Sequence, residues 1–134
     1  MSDAEDADDV EAIRERKKEQ LKEKLSAPDS PSEPVHVESA QHFQDVTGSG
    51  TVLVDFYADW CGPCKMLEPT VETIAAETDA TVAKVDIDAL QGLAQQYQVQ
   101  GVPTLLLFVD GEPAERMVGV QDEATLRSVV AQHA

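Results

Sequence analysis

The sequence predicts an α/β protein with a central mixed five-stranded sheet and four flanking helices. Within residues 35–134, apolar segments of strand length alternate with segments whose apolar residues recur at helical spacing. The early strand–helix–strand steps favour parallel pairing through right-handed crossovers. Near the end, two strand-like segments flank Asp110 and Gly111, a pair typical of a hairpin turn, so antiparallel strands complete the sheet.

The predicted elements follow the order β-α-β-α-β-α-β-β-α. The second strand is almost continuously apolar, which is typical of a central strand covered on both faces. The five strands are predicted at residues 35–37, 51–57, 81–87, 104–109 and 114–118. The four helices are predicted from their apolar faces, formed by Ala40, Phe43 and Val46; Leu67, Val71, Ile74 and Ala75; Leu90, Leu93, Ala94 and Tyr97; and Leu126, Val129 and Val130.

Residues 1–34 are predicted to be a charged, partly helical tail followed by a proline-rich linker, outside the folded domain at 35–134. Over residues 9–25, opposite charges lie three residues apart, and each such pair stabilises an isolated helix by a few tenths of a kcal/mol. These pairs are Glu11 with Arg14, Glu15 with Lys18, and Glu19 with Lys22. We expect a solvated tail, with a docking helix for a partner as the alternative.

The chain is strongly acidic, with a formal net charge of −16. Residues 35–134 hold 15 acidic side chains against only Lys65, Lys84, Arg116 and Arg127. Because nucleic acids and anionic membranes bind basic patches, we expect neither as a partner. Self-repulsion destabilises such a fold unless salt screens it, so we hypothesise a host with molar salt in its cytoplasm. The alternative is an ordinary acidic protein.

The two cysteines of the chain, Cys61 and Cys64, indicate redox chemistry or metal binding. The acidic start lacks the features of a secretory signal, and no apolar run approaches the roughly 18 residues of a membrane span. We therefore expect a cytoplasmic protein, and a monomer. In a reducing compartment, a pair this close is typical of a reactive site and not of a stabilising disulfide. A structural zinc site requires four ligands, and the sequence has no second pair, so we expect no metal.

The cysteine pair falls between the second predicted strand and the second predicted helix. Free backbone N–H groups and the helix dipole stabilise a thiolate at a helix N-terminus. Pro63 suits the first turn, where its missing N–H has no partner. We expect Cys61, on the loop side, to be the exposed nucleophile. Cys64, one turn into the helix, is expected to be shielded and to react second.

The sequence VDFYADWCGPCK at residues 54–65 resembles the active-site region of the thioredoxin family. Four further stretches agree with the family in order and spacing, so the resemblance covers about residues 35–134. These stretches are VAKVDID at 82–88, GVPTLLLF at 101–108, DG at 110–111 and VG at 118–119.

The resemblance implies a thioredoxin fold and a role for several residues. Pro103 matches a cis-proline opposite the cysteines, and the backbone of Val102 is expected to pair with an extended substrate segment. Asp55 matches a buried aspartate that exchanges a proton with Cys64, with Lys84 beside it. The expected apolar docking surface comprises Trp60, Gly62, Pro63, Val102, Pro103, Val118 and Gly119.

The implied activity is reduction of protein disulfides by dithiol–disulfide exchange. A separate thioredoxin reductase is expected to restore the dithiol. The chain has no nucleotide-binding fingerprint, so FAD and NADPH are expected only on that partner and no cofactor is expected on this chain.

The sequence leaves several alternatives open. Asp55 could serve only as a structural partner of Lys84. The chain could be a disulfide oxidase or isomerase, although the Gly-Pro between the cysteines favours a reductant, or a non-enzymatic binding module. Two acidic residues, Asp59 and Glu68, lie near the active-site helix and oppose thiolate formation at Cys61 unless salt screens them.

Overall fold

The computed structural model of the chain describes residues 30–133. These residues form five strands and four helices in the predicted order. The strands are β1 (Val35–His36), β2 (Thr51–Tyr57), β3 (Thr81–Asp86), β4 (Thr104–Val109) and β5 (Glu112–Val118). The helices are α1 (Ala40–Thr47), α2 (Gly62–Glu77), α3 (Gln91–Gln96) and α4 (Glu123–Gln132). The charged helix predicted at 9–25 and the linker as far as residue 29 lie outside the described residues.

The sheet is mixed, with the strand order β1-β3-β2-β4-β5. The pairs β1–β3 and β3–β2 are parallel, whereas β2–β4 and β4–β5 are antiparallel. The predicted α/β architecture is confirmed. β2 is the central strand, so both of its edges are paired and both of its faces are covered.

Helices cover both faces of the sheet. On one face, Leu53 and Val82 pack with α2 and α4 residues such as Leu67 and Leu126. On the other face, Val54 and its neighbours pack with residues of α1 and α3. Because side chains alternate along a strand, Asp55 lies on the same face as Leu53, the face covered by α2.

The hairpin is confirmed, but β5 begins two residues earlier than predicted. Asp110 and Gly111 both have positive φ, at 51° and 92°, as a tight two-residue hairpin turn requires. The predicted strand begins at Ala114, whereas the observed strand also includes Glu112 and Pro113. Here β5 is an edge strand, and a register shift at Leu107 and Phe108 accommodates the proline.

Candidate active site

The cysteines lie at the start of α2, directly after the loop that follows β2. Their Cα atoms are 5.3 Å apart and their side chains form a disulfide. Cys61 is the N-cap residue, and its Sγ accepts a hydrogen bond from the backbone N–H of Cys64 at 3.1 Å. Pro63 occupies the first turn. A sulfur therefore takes the place that a cap oxygen usually occupies, where free N–H groups stabilise negative charge.

The prediction that Cys61 is exposed is wrong for the disulfide form. Cys61 is 3% exposed and Cys64 is 4% exposed. Both belong to a buried cluster with Ala58, and residues from distant segments, Ile87 and Val102, pack against that cluster. Exposure does not distinguish the two sulfurs here. Their positions do, because Cys61 caps the helix whereas Cys64 lies within its first turn.

Pro103 lies beside the disulfide, as the resemblance implies. The Val102–Pro103 peptide bond is cis, and the Val102 carbonyl oxygen lies 3.7 Å from Cys61 Sγ. The Pro103 carbonyl accepts a hydrogen bond from the Gly119 N–H at 2.8 Å. The fold thus brings three segments of the sequence together around the sulfurs.

Asp55 is fully buried on the α2 face of β2, and neither carboxylate oxygen has a hydrogen-bond partner among residues 30–133. Burial raises the pKa of Asp55 from an ordinary 3.8 to about 6. The positive charge of Lys84 opposes this rise in pKa, and the negative charge of Glu68 adds to it. A carboxyl group with this pKa is ionised at neutral pH but remains a stronger base than an ordinary aspartate.

Lys84 pairs in register with Asp55 on the neighbouring strand, as predicted, but its ion pair is with Glu68. The Lys84 Nζ atom lies 3.1 Å from Glu68 Oε2 and 4.5 Å from the centre of the Tyr57 ring. Among the described residues, Lys84 and Asp55 form no ion pair within 4.0 Å. The direct ion pair expected of a purely structural Asp55–Lys84 partnership is thus absent from this part of the chain, and the role of Asp55 stays a prediction.

The predicted docking residues lie around the disulfide. Trp60 is 69% exposed and Val118 is 65% exposed, and Gly62 and Pro63 are exposed as well. The Trp60 Nε1–H donates a hydrogen bond to Asp88 Oδ2 at 2.9 Å. Val102 and Gly119 are partly buried and Pro103 is buried. The surface is therefore an exposed apolar rim around a buried sulfur pair.

The described residues contain no helix long and apolar enough to cross a membrane. Within the same range, no three His, Cys, Asp or Glu side chains are grouped as a metal site requires.

Comparison with known proteins identifies the family. The family model "Thioredoxin" matches residues 33–132. The chain belongs to the thioredoxin family. It is a thiol–disulfide oxidoreductase, and its redox-active pair is Cys61 and Cys64. Thioredoxins carry no bound cofactor, and membership of the family implies protein disulfides as substrates and a reductase as partner.

Three relatives illustrate the similarity. A thioredoxin from Chlamydia trachomatis is 49% identical over 100 residues, which cover 74% of this chain and 98% of that protein. A thioredoxin from Mycobacterium tuberculosis is 50% identical over 95 residues, covering 69% of this chain and 82% of that protein. The solved structure of a mutant thioredoxin from Halobacterium salinarum has a TM-score of 0.76 at 55% identity, and the match covers 78% of this chain and 93% of that one.

Sequence reasoning missed two features of this thioredoxin site. Met66 and Val120 are exposed apolar residues near the predicted docking surface in sequence, at 72% and 46% exposure. The sequence predicts for Glu68 only a negative charge that opposes the Cys61 thiolate, whereas in the structure Glu68 forms an ion pair with Lys84. The helical spacing offered a signal for Glu68, because it follows Cys64 by four residues and so lies near the same helix face.

Proposed function

We propose that Cys61 is the nucleophile and Cys64 the resolving thiol in reduction of protein disulfides. The observation that carries this proposal is the position of Cys61 Sγ, which caps α2 and faces the Val102 carbonyl. In the reduced protein, the Cys61 thiolate attacks one sulfur of a substrate disulfide. A mixed disulfide forms, and the other substrate sulfur leaves as a thiolate.

Cys64 completes the exchange. Its thiolate attacks Cys61 Sγ, the Cys61–Cys64 disulfide forms, and the second substrate sulfur is released as a thiolate. Two electrons have then passed from the protein to the substrate. Sulfurs held at the first turn of a helix, with Cα atoms 5.3 Å apart, form this bond with little rearrangement.

Asp55 is proposed to accept the Cys64 proton and to return it when the dithiol is restored. Two observations support this role: the carboxyl group is buried on the face of the sheet covered by α2, and its pKa is about 6. Lys84 is proposed to act on Asp55 through its charge, which favours the ionised carboxylate.

The substrate is proposed to bind as an extended segment along the Val102 backbone. An exposed apolar rim supports this proposal, since Trp60 and Val118 offer apolar contact area beside the sulfurs. The remaining residues of the proposed surface are Gly62, Pro63, Pro103 and Gly119.

We further propose that the protein is a cytoplasmic monomer with its catalytic domain at residues 35–134. The partner reductase is proposed to supply the electrons through FAD and NADPH. The family match over residues 33–132 supports the domain boundary, and the sparing use of cysteine supports a reducing compartment.

Insulin reduction by dithiothreitol, followed as turbidity in high salt, tests this function. We expect the wild-type protein to accelerate precipitation, and Cys61→Ser to lose the acceleration because it removes the attacking sulfur. Equal rates for Cys61→Ser and wild type would overturn the assignment. A reduction potential as high as that of strong oxidants, about −120 mV, would instead indicate an oxidase.

A further inference from the structure

Glu68 and Lys84 form an ion pair next to the buried Asp55. Lys84 is 5% exposed, whereas the Glu68 side chain is half exposed, so the pair runs from the interior to the surface. Asp55 and Lys84 are register partners on adjacent strands and share the face covered by α2. The Lys84 ammonium group therefore acts electrostatically on the carboxylates of both Asp55 and Glu68, but among the described residues it forms an ion pair with Glu68 only.

The outer end of the pair opens to solvent. A cleft of about 500 Å³ is lined by Glu33, His36, Glu68, Glu72 and Lys84, among others. It lies between the segment that leads into β1 and the surface of α2. The Lys84 ammonium group therefore bonds to a carboxylate at the edge of a polar cleft and not to the buried carboxylate of Asp55.

A direct ion pair between Lys84 and Asp55 would have a chemical consequence. An opposite charge within about 4–6 Å lowers the pKa of a carboxyl group by about 1–3 units, which would make Asp55 a weak base toward a thiol. With Lys84 bonded to Glu68, the Asp55 carboxylate has no hydrogen-bond partner among the described residues.

We propose that Glu68 is a positioning residue that holds the Lys84 ammonium group toward the cleft and leaves the Asp55 carboxyl group free to exchange a proton with Cys64. This inference rests on the proposed proton-transfer role of Asp55. The raised pKa of Asp55, to which the Glu68 charge contributes, supports it.

None of the following neighbours of Asp55 offers Lys84 a carboxylate in place of Glu68. On β4, the register partner of Asp55 is the apolar Leu105. On β2, Tyr57 faces Lys84 with its ring. On α2, the cysteines are joined in the disulfide.

The groups around Lys84 complete the charged environment. His36 is its register partner on β1 and, like Glu33, lines the cleft. Glu72 follows Glu68 by one helical turn and also lines the cleft, but it forms no ion pair within residues 30–133. Glu72 is therefore a matched control on the same helix.

The test is a carbon-13 NMR titration of the Asp55 carboxyl group in the oxidised, full-length protein. Three variants are compared with the wild type: Glu68→Ala, Glu68→Gln and Glu72→Ala. Alanine removes both the charge and the hydrogen-bond acceptor, whereas glutamine keeps an acceptor for Lys84. Alanine and glutamine both favour helices, and Glu68 is half exposed, so we expect Glu68→Ala and Glu68→Gln to fold. Circular dichroism checks that they do.

We expect the Asp55 midpoint to fall by about 1 pH unit in Glu68→Ala and by about half as much in Glu68→Gln. Glu72→Ala should leave the midpoint unchanged. Equal shifts in the two Glu68 variants would overturn the inference, because only charge would then matter. An unchanged midpoint in Glu68→Ala, or an equal shift in Glu72→Ala, would overturn it as well.

The pH profile of insulin reduction gives a second readout. Its acidic limb should move to lower pH in Glu68→Ala, in step with the NMR midpoint, whereas the limb of Glu72→Ala should not move. A limb that stays fixed while the midpoint moves would overturn the inference. Since the titration uses the oxidised protein and requires no activity, a wild-type protein that fails to reduce insulin would count against the proposed function alone.

Discussion

At the scale of single residues, the site depends on a buried acid, Asp55, whose carboxylate oxygens have no hydrogen-bond partner within residues 30–133. Asp55 lies in the central strand, where Leu53, Val54 and Phe56 beside it are apolar and fully buried. Burying an ionised carboxylate is unfavourable, so folding favours the protonated form and raises the pKa. The same property that makes Asp55 a suitable base therefore lowers the stability of the protein at neutral pH.

The burial of Asp55 predicts how the free energy of unfolding depends on pH. Because the pKa of Asp55 rises from 3.8 to about 6 on folding, the folded state binds the proton more tightly between those values. The free energy of unfolding contributed by Asp55 is highest below pH 3.8 and falls as the pH rises through 6. We expect Asp55→Asn to remove this fall, so that the variant gains about 1–3 kcal/mol relative to wild type between pH 4 and pH 7.

Urea unfolding at a series of pH values measures this difference. The other carboxylates titrate in both proteins, so their contribution cancels in the comparison. A constant difference between wild type and Asp55→Asn across this range would show that Asp55 titrates at the same pH in the folded and unfolded states.

At the scale of elements, the sequence predicted the order and type of every described strand and helix, because each carries its own periodicity. The predicted element boundaries are less accurate where a boundary depends on tertiary position. The start of β5 is an example, because an edge strand can include Pro113. The burial of Cys61 could not be predicted, since it depends on Val102, which lies 41 residues away along the chain. The Glu68–Lys84 pair likewise depends on how α2 is rotated against the sheet.

The hairpin between β4 and β5 provides a prediction at this scale. Asp110 anchors the turn to Gly50, because its side chain accepts a hydrogen bond from the Gly50 N–H at 3.0 Å. Gly111 has a φ of 92°. A side chain in this region costs about 1–2 kcal/mol, so Gly111→Ala should lower the free energy of unfolding by that amount.

Gly92→Ala is the matched control for this change. Gly92 lies in α3, a Cβ atom added there would meet nothing within 4 Å, and alanine has a higher helix propensity than glycine. We expect Gly92→Ala not to lower the free energy of unfolding. Equal losses in the two variants would contradict the backbone explanation.

At the scale of the whole molecule, the surface is dominated by acidic side chains. Two of the four basic residues in the folded part form ion pairs: Lys84 binds Glu68, and Arg127 binds both Glu77 and Glu123, which links α2 to α4. Most carboxylates have no such partner within residues 30–133 and repel one another. The 55% identity to a thioredoxin from a halophile supports the hypothesis that the protein works in molar salt.

We therefore predict that the melting temperature rises by about 5 °C or more between 0.1 M and 2 M potassium chloride, because salt screens this repulsion. Sorbitol at equal osmolarity is the control, since it does not screen charge. A melting temperature that stays constant or falls with potassium chloride would refute the hypothesis, and an equal rise in sorbitol would attribute the effect to exclusion of solute from the surface.

The central claim is that Cys61 attacks the substrate and Cys64 releases it. Incubating the reduced Cys64→Ser and Cys61→Ser variants with insulin, followed by non-reducing mass spectrometry, tests it most directly. We expect a stable mixed disulfide through Cys61 in the Cys64→Ser variant and none in the Cys61→Ser variant. Equal accumulation of a mixed disulfide through Cys64 in the Cys61→Ser variant would show that Cys61 is not the attacking thiol.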